Sequence, residues 1–158
     1  GAFILASNHF SNFDPPIVGS FCPRKDLYFL AKEELFTNKI FGAFLKYSNA
    51  FPVKRGQADT NSMLKLFRLL DDGCGVLMFP EGTRRKNNKP IAKKGLGFVI
   101  AKSQKPVIPV RLINSSNFFK FNRLKIIYGK PILFYEFDEK LDYQEISKKV
   151  LDVIEELK

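Results

Sequence analysis

The sequence is poor in the residues on which most metal and redox sites depend. Its 158 residues include one histidine, two cysteines, two methionines and no tryptophan. With one imidazole and two scattered cysteines, Cys22 and Cys74, no metal-ligand spacing is present, and a zinc site is not expected. We predict that both cysteines are buried free thiols of a protein from a reducing compartment. Any imidazole chemistry has to use His9.

Long apolar runs are also missing. No run of about 18 apolar residues occurs, so the sequence contains no candidate membrane-spanning helix. It also lacks the pattern of a secretory signal peptide. The chain starts without Met and enters the apolar run 2–6 almost at once. We therefore expect that an N-terminal membrane-associating segment precedes it in the intact protein.

The charge of the chain is strongly unbalanced. It has 26 Lys and Arg against 16 Asp and Glu, which gives a formal net charge of +10. Such a balance indicates an anionic partner, either nucleic acid, an anionic lipid surface or phosphorylated substrates. The 17 phenylalanines, several of them next to lysines, favour the lipid options. In a predicted loop at residues 114–122, Phe118, Phe119 and Phe121 lie beside Lys120 and Arg123. These side chains either insert into an anionic lipid surface or pack against the body of the protein.

Apolar runs of strand length alternate with helical patterns along the chain. This order predicts an α/β fold, a single domain with a largely parallel central sheet flanked by helices. Helices are predicted at residues 60–70 and 95–103, and Asp142 with Glu145 forms a capping box that begins a C-terminal helix. Its predicted apolar stripe is Tyr143, Ile146, Val150, Ile154 and Leu157. The predicted strands are residues 3–7, 27–31, 50–53, 76–79, 107–112 and 124–128.

His9 follows the first predicted strand, where catalytic side chains of parallel sheets commonly gather. Asp14 precedes two prolines, which predicts that it is the N-cap of a helix. Side chains five residues apart diverge on both strands and helices, so the two can meet only if the chain turns at Ser11 and Asn12. A carboxylate bound to one ring nitrogen would fix the tautomer and leave the other nitrogen as a general base. The alternative is a surface histidine beside an ordinary capping aspartate.

Two further strand ends run into glycine and basic residues. The predicted strand 76–79 is followed by Pro80, Glu81, Gly82, Thr83 and Arg84. Gly82 lets the backbone approach a ligand, Arg84 can hold phosphate oxygens in a bidentate fork, and Glu81 can hold a hydroxyl or orient an arginine. The alternative is a basic surface turn. The strand 50–53 similarly leads to Arg55, which can clamp the same phosphate from the other side.

Four segments in order resemble the glycerolipid acyltransferases, a family whose best-known members are the lysophosphatidic acid acyltransferases. They are Asn8-His9 with Asp14, residues 51–55, residues 79–84 and residues 107–110. The resemblance implies that His9 and Asp14 are catalytic and that Arg55 and Arg84 hold the acceptor phosphate. It also implies that Glu81, Gly82 and Thr83 shape the pocket around the glycerol. Phe10, Lys54 and Arg85 depart from the commoner pattern beside these groups.

The same resemblance implies an activity for an acyltransferase domain at residues 1–158. A fatty acyl group would pass from acyl-CoA or acyl-carrier protein to the hydroxyl of 1-acylglycerol-3-phosphate and give phosphatidic acid. Transfer would be direct and would need no metal or bound cofactor, because the thioester supplies the activation. The implied partners are a lysophospholipid acceptor, the acyl donor and an anionic membrane surface, at the cytoplasmic face of a membrane. Another acceptor, such as glycerol-3-phosphate, a different lysophospholipid or an amino-acid lipid, remains an alternative.

Two other classes of protein fit the sequence less well. A non-catalytic lipid- or nucleic-acid-binding basic domain leaves the pairing of His9 with Asp14 unexplained. No nucleic-acid-binding motif is present, so nucleic acid is not an expected partner. A serine or cysteine hydrolase would need a nucleophile beside a base, but the sequence has no Gly-x-Ser-x-Gly elbow and no histidine near either cysteine.

Overall fold

Helices and strands alternate along most of the chain. The computed structural model describes residues 1–54, 59–85, 90–116 and 124–158. The strands are β1 (Phe3–Ser7), β2 (Leu27–Lys32), β3 (Ala50–Val53), β4 (Gly75–Met78), β5 (Val107–Ile113) and β6 (Lys125–Tyr128). The helices are α1 (Asp14–Phe21), α2 (Lys39–Tyr47), α3 (Thr60–Asp71), α4 (Lys94–Ser103) and α5 (Tyr143–Glu156), with short 3₁₀ helices at Glu33–Phe36 and Phe134–Glu136.

Within the described residues, the strands form one six-stranded sheet in the order β3-β2-β4-β1-β5-β6. Neighbouring strands are parallel except for β6, which pairs antiparallel with β5. In the centre, Leu5 of β1 is in register with Leu77 of β4 and Ile108 of β5. The predicted α/β fold with a largely parallel sheet is confirmed.

Helices cover both faces of the sheet. Every residue of β1 is buried, as expected for a parallel strand between two helical layers. Alternate β1 side chains enter different cores because successive residues of a strand point to opposite faces. Ile4 and Ala6 belong to the core with α3, α4 and α5, while Phe3 and Leu5 belong to the core with α1 and α2.

Helices α4 and α5 pack most closely at a glycine. A Cβ added to Gly97 would lie 1.8 Å from the carbonyl oxygen of Tyr143. The backbone N–H of Gly97 also donates a 2.7 Å hydrogen bond to Oγ of Ser147. Only a residue without a side chain fits at this crossing.

The predicted strands are found, each with boundaries within one residue of those expected from the sequence. The two internal helices predicted at residues 60–70 and 95–103 are α3 and α4. Helix α5 begins with the predicted capping box of Asp142 and Glu145. Its stripe is correct at Ile146, Val150 and Ile154. It is wrong at its ends, because Tyr143 is exposed and Leu157 is the C-cap, while Leu151 is buried.

Other predictions need correction. Helix α2 and the 3₁₀ helix before it were not predicted. The N-cap of α1 is Phe13, and Asp14 is the first residue of the helix. Both cysteines are free, but only Cys22 is buried, since Cys74 lies partly exposed just before β4.

Two predicted features lie outside the described residues. These are Arg55 and the aromatic stretch with Phe118, Phe119, Lys120, Phe121 and Arg123. In the part of the chain that the structure describes, no helix is long and apolar enough to cross a bilayer.

Candidate active site

The candidate site lies at the carboxyl ends of β1 and β4. These strands are parallel neighbours, so the residues that follow them meet at one edge of the sheet. His9 lies two residues beyond β1 and Phe79 directly follows β4. The two rings stack with centroids 4.0 Å apart and planes inclined by 20°. His9 is only 5% exposed, so its ring is almost fully shielded from solvent.

His9 and Asp14 form a buried hydrogen-bonded pair. Nδ1 of His9 lies 2.8 Å from Oδ2 of Asp14, which is fully buried. The same carboxylate oxygen accepts hydrogen bonds from the backbone N–H groups of Phe10 at 2.6 Å and Ser11 at 2.8 Å. With Nδ1 donating to the carboxylate, Nε2 is the nitrogen left to accept a proton.

The same contacts explain why Asp14 does not cap α1. The predicted turn at Ser11 and Asn12 brings the carboxylate back towards His9, where it meets three donors. A capping role would have turned the side chain towards the N–H groups of the helix instead. The side chain of Asp14 therefore serves the histidine and the turn.

Asn8 attaches this segment to β5. Its Nδ2 donates to the carbonyl oxygen of Leu112 at 2.8 Å, and its Oδ1 accepts from the N–H of the same residue at 2.7 Å. The last regular β1–β5 partners are Ser7 and Val110. The side-chain amide thus continues the pairing of the two strands for one more step beyond β1.

Glu81 and Arg85 hold the backbone of His9 from the β4 side. Oε2 of Glu81 accepts the N–H of His9 at 2.9 Å, and Oε1 accepts from Nε of Arg85 at 2.6 Å. The backbone N–H of Arg85 donates to the carbonyl oxygen of His9 at 2.8 Å, while its guanidinium reaches Oε1 of Glu155 in α5 at 2.7 Å. Arg85 also lies over the Phe10 ring, 4.7 Å from its centroid.

The carboxylate of Glu81 is shielded from solvent. Burial raises its pKa, and this effect outweighs the opposite influence of Arg85 and of the His9 N–H. Both of its oxygens bond to protein groups, so the contacts seen here orient His9 and Arg85.

The loop after Glu81 turns at Gly82. Gly82 has a φ of 65°, in the left-handed region that favours glycine, and its N–H donates to the carbonyl oxygen of Phe79 at 2.9 Å. Thr83 and Arg84 are exposed on the same loop. A hydrogen bond of 2.8 Å from the N–H of Lys93 to the carbonyl oxygen of Pro80 holds the far side of the loop.

An apolar cavity of about 400 Å³ opens beside His9. His9 and Phe79 form part of its wall, and the rest comes from the start of α1, the end of β2 and the segment 35–45. Its apolar lining includes Phe29, Leu30, Leu35, Phe41, Phe44 and Leu45. Such a lining suits a hydrocarbon chain better than a polar ligand.

The sequence predicted the pair of His9 and Asp14, which we call the dyad, but it did not predict the residues that contact this pair. Phe79 was part of a recognised segment without an assigned role, and Arg85 was noted only as a departure from the family pattern. The pairing of Arg85 with Glu155 spans 70 positions and leaves no local signal. Among the described residues, no group of three His, Cys, Asp or Glu side chains is arranged to hold a metal ion.

The fold and the site define a class of α/β proteins in which a buried histidine–aspartate pair lies at the strand ends beside an apolar cavity. A family model described as Acyltransferase matches residues 1–113, which include this pair, Glu81 and Arg85. The chain belongs to this acyltransferase family.

Individual relatives agree with this assignment. The chain is 32% identical to the 1-acyl-sn-glycerol-3-phosphate acyltransferase of Bacillus subtilis, over 82% of the chain and 66% of that protein. It is 30% identical to the enzyme of the same name from Streptococcus pneumoniae, over 82% of the chain and 50% of that protein. An N-acylphosphatidylethanolamine synthase of Arabidopsis thaliana is 27% identical over 83% of the chain and 56% of its own length.

The fold matches a solved structure. The crystal structure of the 1-acyl-sn-glycerophosphate (LPA) acyltransferase PlsC from Thermotoga maritima superposes with a TM-score of 0.74. The two are 25% identical, and the match covers 97% of this chain and 63% of that one. The chain thus spans between one half and two thirds of the length of these relatives.

Proposed function

We propose that the protein transfers a fatty acyl group from an acyl thioester to the free hydroxyl of 1-acylglycerol-3-phosphate, giving phosphatidic acid. The observation that carries the proposal is the 2.8 Å hydrogen bond from Nδ1 of His9 to buried Asp14, on the wall of an apolar cavity. The relatives named as 1-acyl-sn-glycerol-3-phosphate acyltransferases support the choice of acceptor.

In the proposed reaction, Nε2 of His9 removes the proton from the acceptor hydroxyl as its oxygen attacks the thioester carbonyl. Asp14 keeps Nδ1 protonated and stabilises the imidazolium that forms. When the carbon–sulfur bond breaks, the departing thiolate takes the proton from Nε2, so the histidine returns to its starting state. No acyl-enzyme is formed, and no metal or bound cofactor takes part because the thioester is already activated.

We assign the two substrates to different groups of residues. We assign the apolar cavity to the acyl chain, since Phe41, Phe44 and Leu45 offer it no polar partner. We assign the acceptor phosphate to Arg84 and Arg55, and the glycerol to the loop of Gly82 and Thr83. Glu81 contributes to that pocket by fixing the loop and the backbone of His9.

The donor and the location form part of the same proposal. Acyl-CoA and acyl-carrier protein are both acidic, so either is attracted by a chain of net charge +10. An anionic membrane surface at the cytoplasmic face is the source of the lysophospholipid and is attracted by the same charge. Nucleic acid has no role in this scheme.

A second acceptor is a candidate because one relative carries a different name. The N-acylphosphatidylethanolamine synthase matches as much of the chain as the glycerophosphate enzymes do. The same general base can activate a different nucleophile if the Gly82–Arg84 loop binds another head group. The proposal therefore includes a comparison of lysophosphatidic acid with glycerol-3-phosphate, other lysophospholipids and amino-acid lipids.

The test follows free thiol released from acyl-CoA or acyl-carrier protein with and without lysophosphatidic acid. Wild type should release thiol only with the acceptor, and His9→Ala should lose at least about a hundredfold in kcat. Far-UV circular dichroism of the variant should match wild type. A variant that keeps its rate, a wild type without turnover on any of these acceptors, or an acyl group trapped on Cys22, Cys74 or a serine would contradict the proposal.

A further inference from the structure

Helix α2 places its apolar side chains on the outside of the protein. The residues that it buries are Gly42 and Leu45. On the opposite side of the helix, Ile40 is 86% exposed, Tyr47 is 90% exposed and Phe44 is 49% exposed. At 100° per residue, these three project within about 60° of one another. A helix on a soluble surface normally shows the reverse pattern, with polar residues outward.

The exposed residues belong to a larger surface, which we call the α2 patch. It comprises Phe13, Leu35, Ile40, Phe41, Phe44 and Tyr47, all of them exposed. Four of the six, Phe13, Leu35, Phe41 and Phe44, also line the cavity beside His9. The patch is therefore continuous with the candidate active site. Single exposed apolar residues are normal, but a contiguous group of this kind marks an interaction surface.

The flank of the patch is basic. Lys39 and Lys46 are exposed on one side of α2, and the helix contains no acidic residue. The acidic pair nearby, Glu33 and Glu34, begins the 3₁₀ helix. Glu34 is neutralised by Lys32, whose Nζ lies 2.8 Å from its carboxylate. An apolar face with lysines along its edge fits the boundary between acyl chains and anionic head groups.

We propose that the α2 patch docks the protein on an anionic lipid bilayer. Ile40, Phe44 and Tyr47 enter the head-group region, while Lys39 and Lys46 contact lipid phosphates. A second copy of the chain fits this surface less well, because an identical α2 carries no acidic residue to pair with Lys39 and Lys46, whereas lipid phosphates can pair with both. Docking stands independently of the proposed function. Only its corollary, that lipid substrate reaches His9 directly from the bilayer, depends on that function.

The first experiment measures binding to vesicles without any substrate. Vesicles of phosphatidylcholine alone and of equal parts phosphatidylcholine and phosphatidylglycerol are sedimented with the 158-residue chain. The double variant I40S/Y47S should partition at least about tenfold more weakly than wild type into the anionic vesicles. The matched control I91S/Y135S replaces side chains that are 69% and 79% exposed outside α2, and should bind as wild type does. Binding of wild type should weaken in high salt and on neutral vesicles.

The second experiment uses the absence of tryptophan from the chain. Y47W and Y135W each introduce a single fluorophore at an exposed position. Anionic vesicles should shift the emission of Y47W to the blue, and lipids with brominated acyl chains should quench it. The emission of Y135W should be unaffected by either, which makes it the internal reference.

The outcomes separate docking from other roles of the patch. The proposal is overturned if wild type does not bind anionic vesicles, if I40S/Y47S binds as tightly as wild type, or if Y47W is not quenched when bound. It is equally overturned if sedimentation velocity shows that I40S/Y47S converts a dimer to a monomer while vesicle binding is unchanged. If wild type shows no acyl transfer but binds anionic vesicles in a way that I40S/Y47S weakens, the result counts against the proposed function and leaves docking supported.

Discussion

The backbone N–H of Arg85 donates a 2.8 Å hydrogen bond to the carbonyl oxygen of His9. The same arginine holds the carboxylate of Glu81, which accepts the N–H of His9. The peptide groups on both sides of the histidine are therefore fixed by the loop after β4. The position of the proposed base depends on this loop as well as on Asp14.

Arg85→Met should be strongly destabilising. It leaves the buried carboxylate of Glu81 without its cation, which is expected to lower the free energy of unfolding by about 3–5 kcal/mol. The double variant E81Q/R85M should lose less than the sum of the two single changes, because it removes the charge together with its partner. Urea unfolding of the four proteins measures this coupling. Additive losses in the free energy of unfolding would show that the pair does not act as a unit. Lys148→Met, which breaks an exposed pair with Asp152, serves as the control.

Asn8→Ala should weaken the attachment of the β1–α1 turn to β5. The substitution removes both hydrogen bonds to Leu112 and leaves a buried N–H and carbonyl without partners, an expected loss of about 2–4 kcal/mol. Denaturant unfolding provides the measurement. Asn61→Ala, at an exposed position in the first turn of α3, should change stability by no more than about 0.5 kcal/mol. Similar losses of stability in Asn8→Ala and Asn61→Ala would contradict the role given to Asn8.

Two glycines of α4 should respond in opposite directions to the same substitution. Gly97→Ala places a methyl group against the backbone of Tyr143 and should cost about 1–3 kcal/mol or more through overpacking. A Cβ at Gly95 would meet no atom within 4 Å, so Gly95→Ala should be neutral or stabilise the helix by up to about 1 kcal/mol. Thermal and urea unfolding distinguish the two. A tolerated alanine at position 97 would show that α4 and α5 are packed less closely than described.

The stability of the protein should fall in acid partly because of Asp59. Its carboxylate accepts backbone hydrogen bonds from Lys54 and Ser62, which lower its pKa from 3.8 to about 2. A lowered pKa contributes stability that is complete above the unfolded value and is lost as the pH falls towards 2. Asp59→Asn should therefore show a smaller decrease in urea midpoint between about pH 4 and pH 2 than wild type. If the urea midpoints of Asp59→Asn and wild type decrease equally over this pH range, other carboxylates determine the loss of stability in acid.

The parts of the fold that follow from local patterns were predictable. The strands are short apolar runs bounded by turn residues, and α5 has both a capping box and a regular stripe. Helix α2 was missed because Ile40, Phe44 and Tyr47 face outward, so its apolar residues do not mark a buried side. A sequence pattern shows the spacing of apolar residues, but it does not show whether they face the core of the protein or its exterior.

The contact between His9 and Asp14 was predictable, but the residues that hold the two in place were not. The single histidine followed by turn residues and an aspartate made the dyad a candidate, and the family resemblance was needed to prefer it over a surface histidine beside a capping aspartate. The capping role given to Asp14 was wrong because the N–H groups of Phe10 and Ser11, together with the imidazole, compete for the carboxylate. The pair of Arg85 with Glu155 depends on the packing of α5 beside the site. The residues near Arg85 in the sequence give no indication of this packing.

The proposed base and its carboxylate partner lie five positions apart, whereas Glu81 reaches His9 from 72 positions away. The proposed proton-transfer pair thus lies on one short segment, whose backbone N–H groups at Phe10 and Ser11 also hold the carboxylate. The groups proposed for the acceptor come from another piece, attached to it through backbone contacts at His9. If the loop binds the acceptor as proposed, changes at Gly82, Thr83 and Arg84 alter which molecule is acylated, as long as Glu81 and Arg85 still hold the backbone of His9. Under the proposed function, the choice of acceptor and the transfer of the proton are then set by two different segments of the sequence.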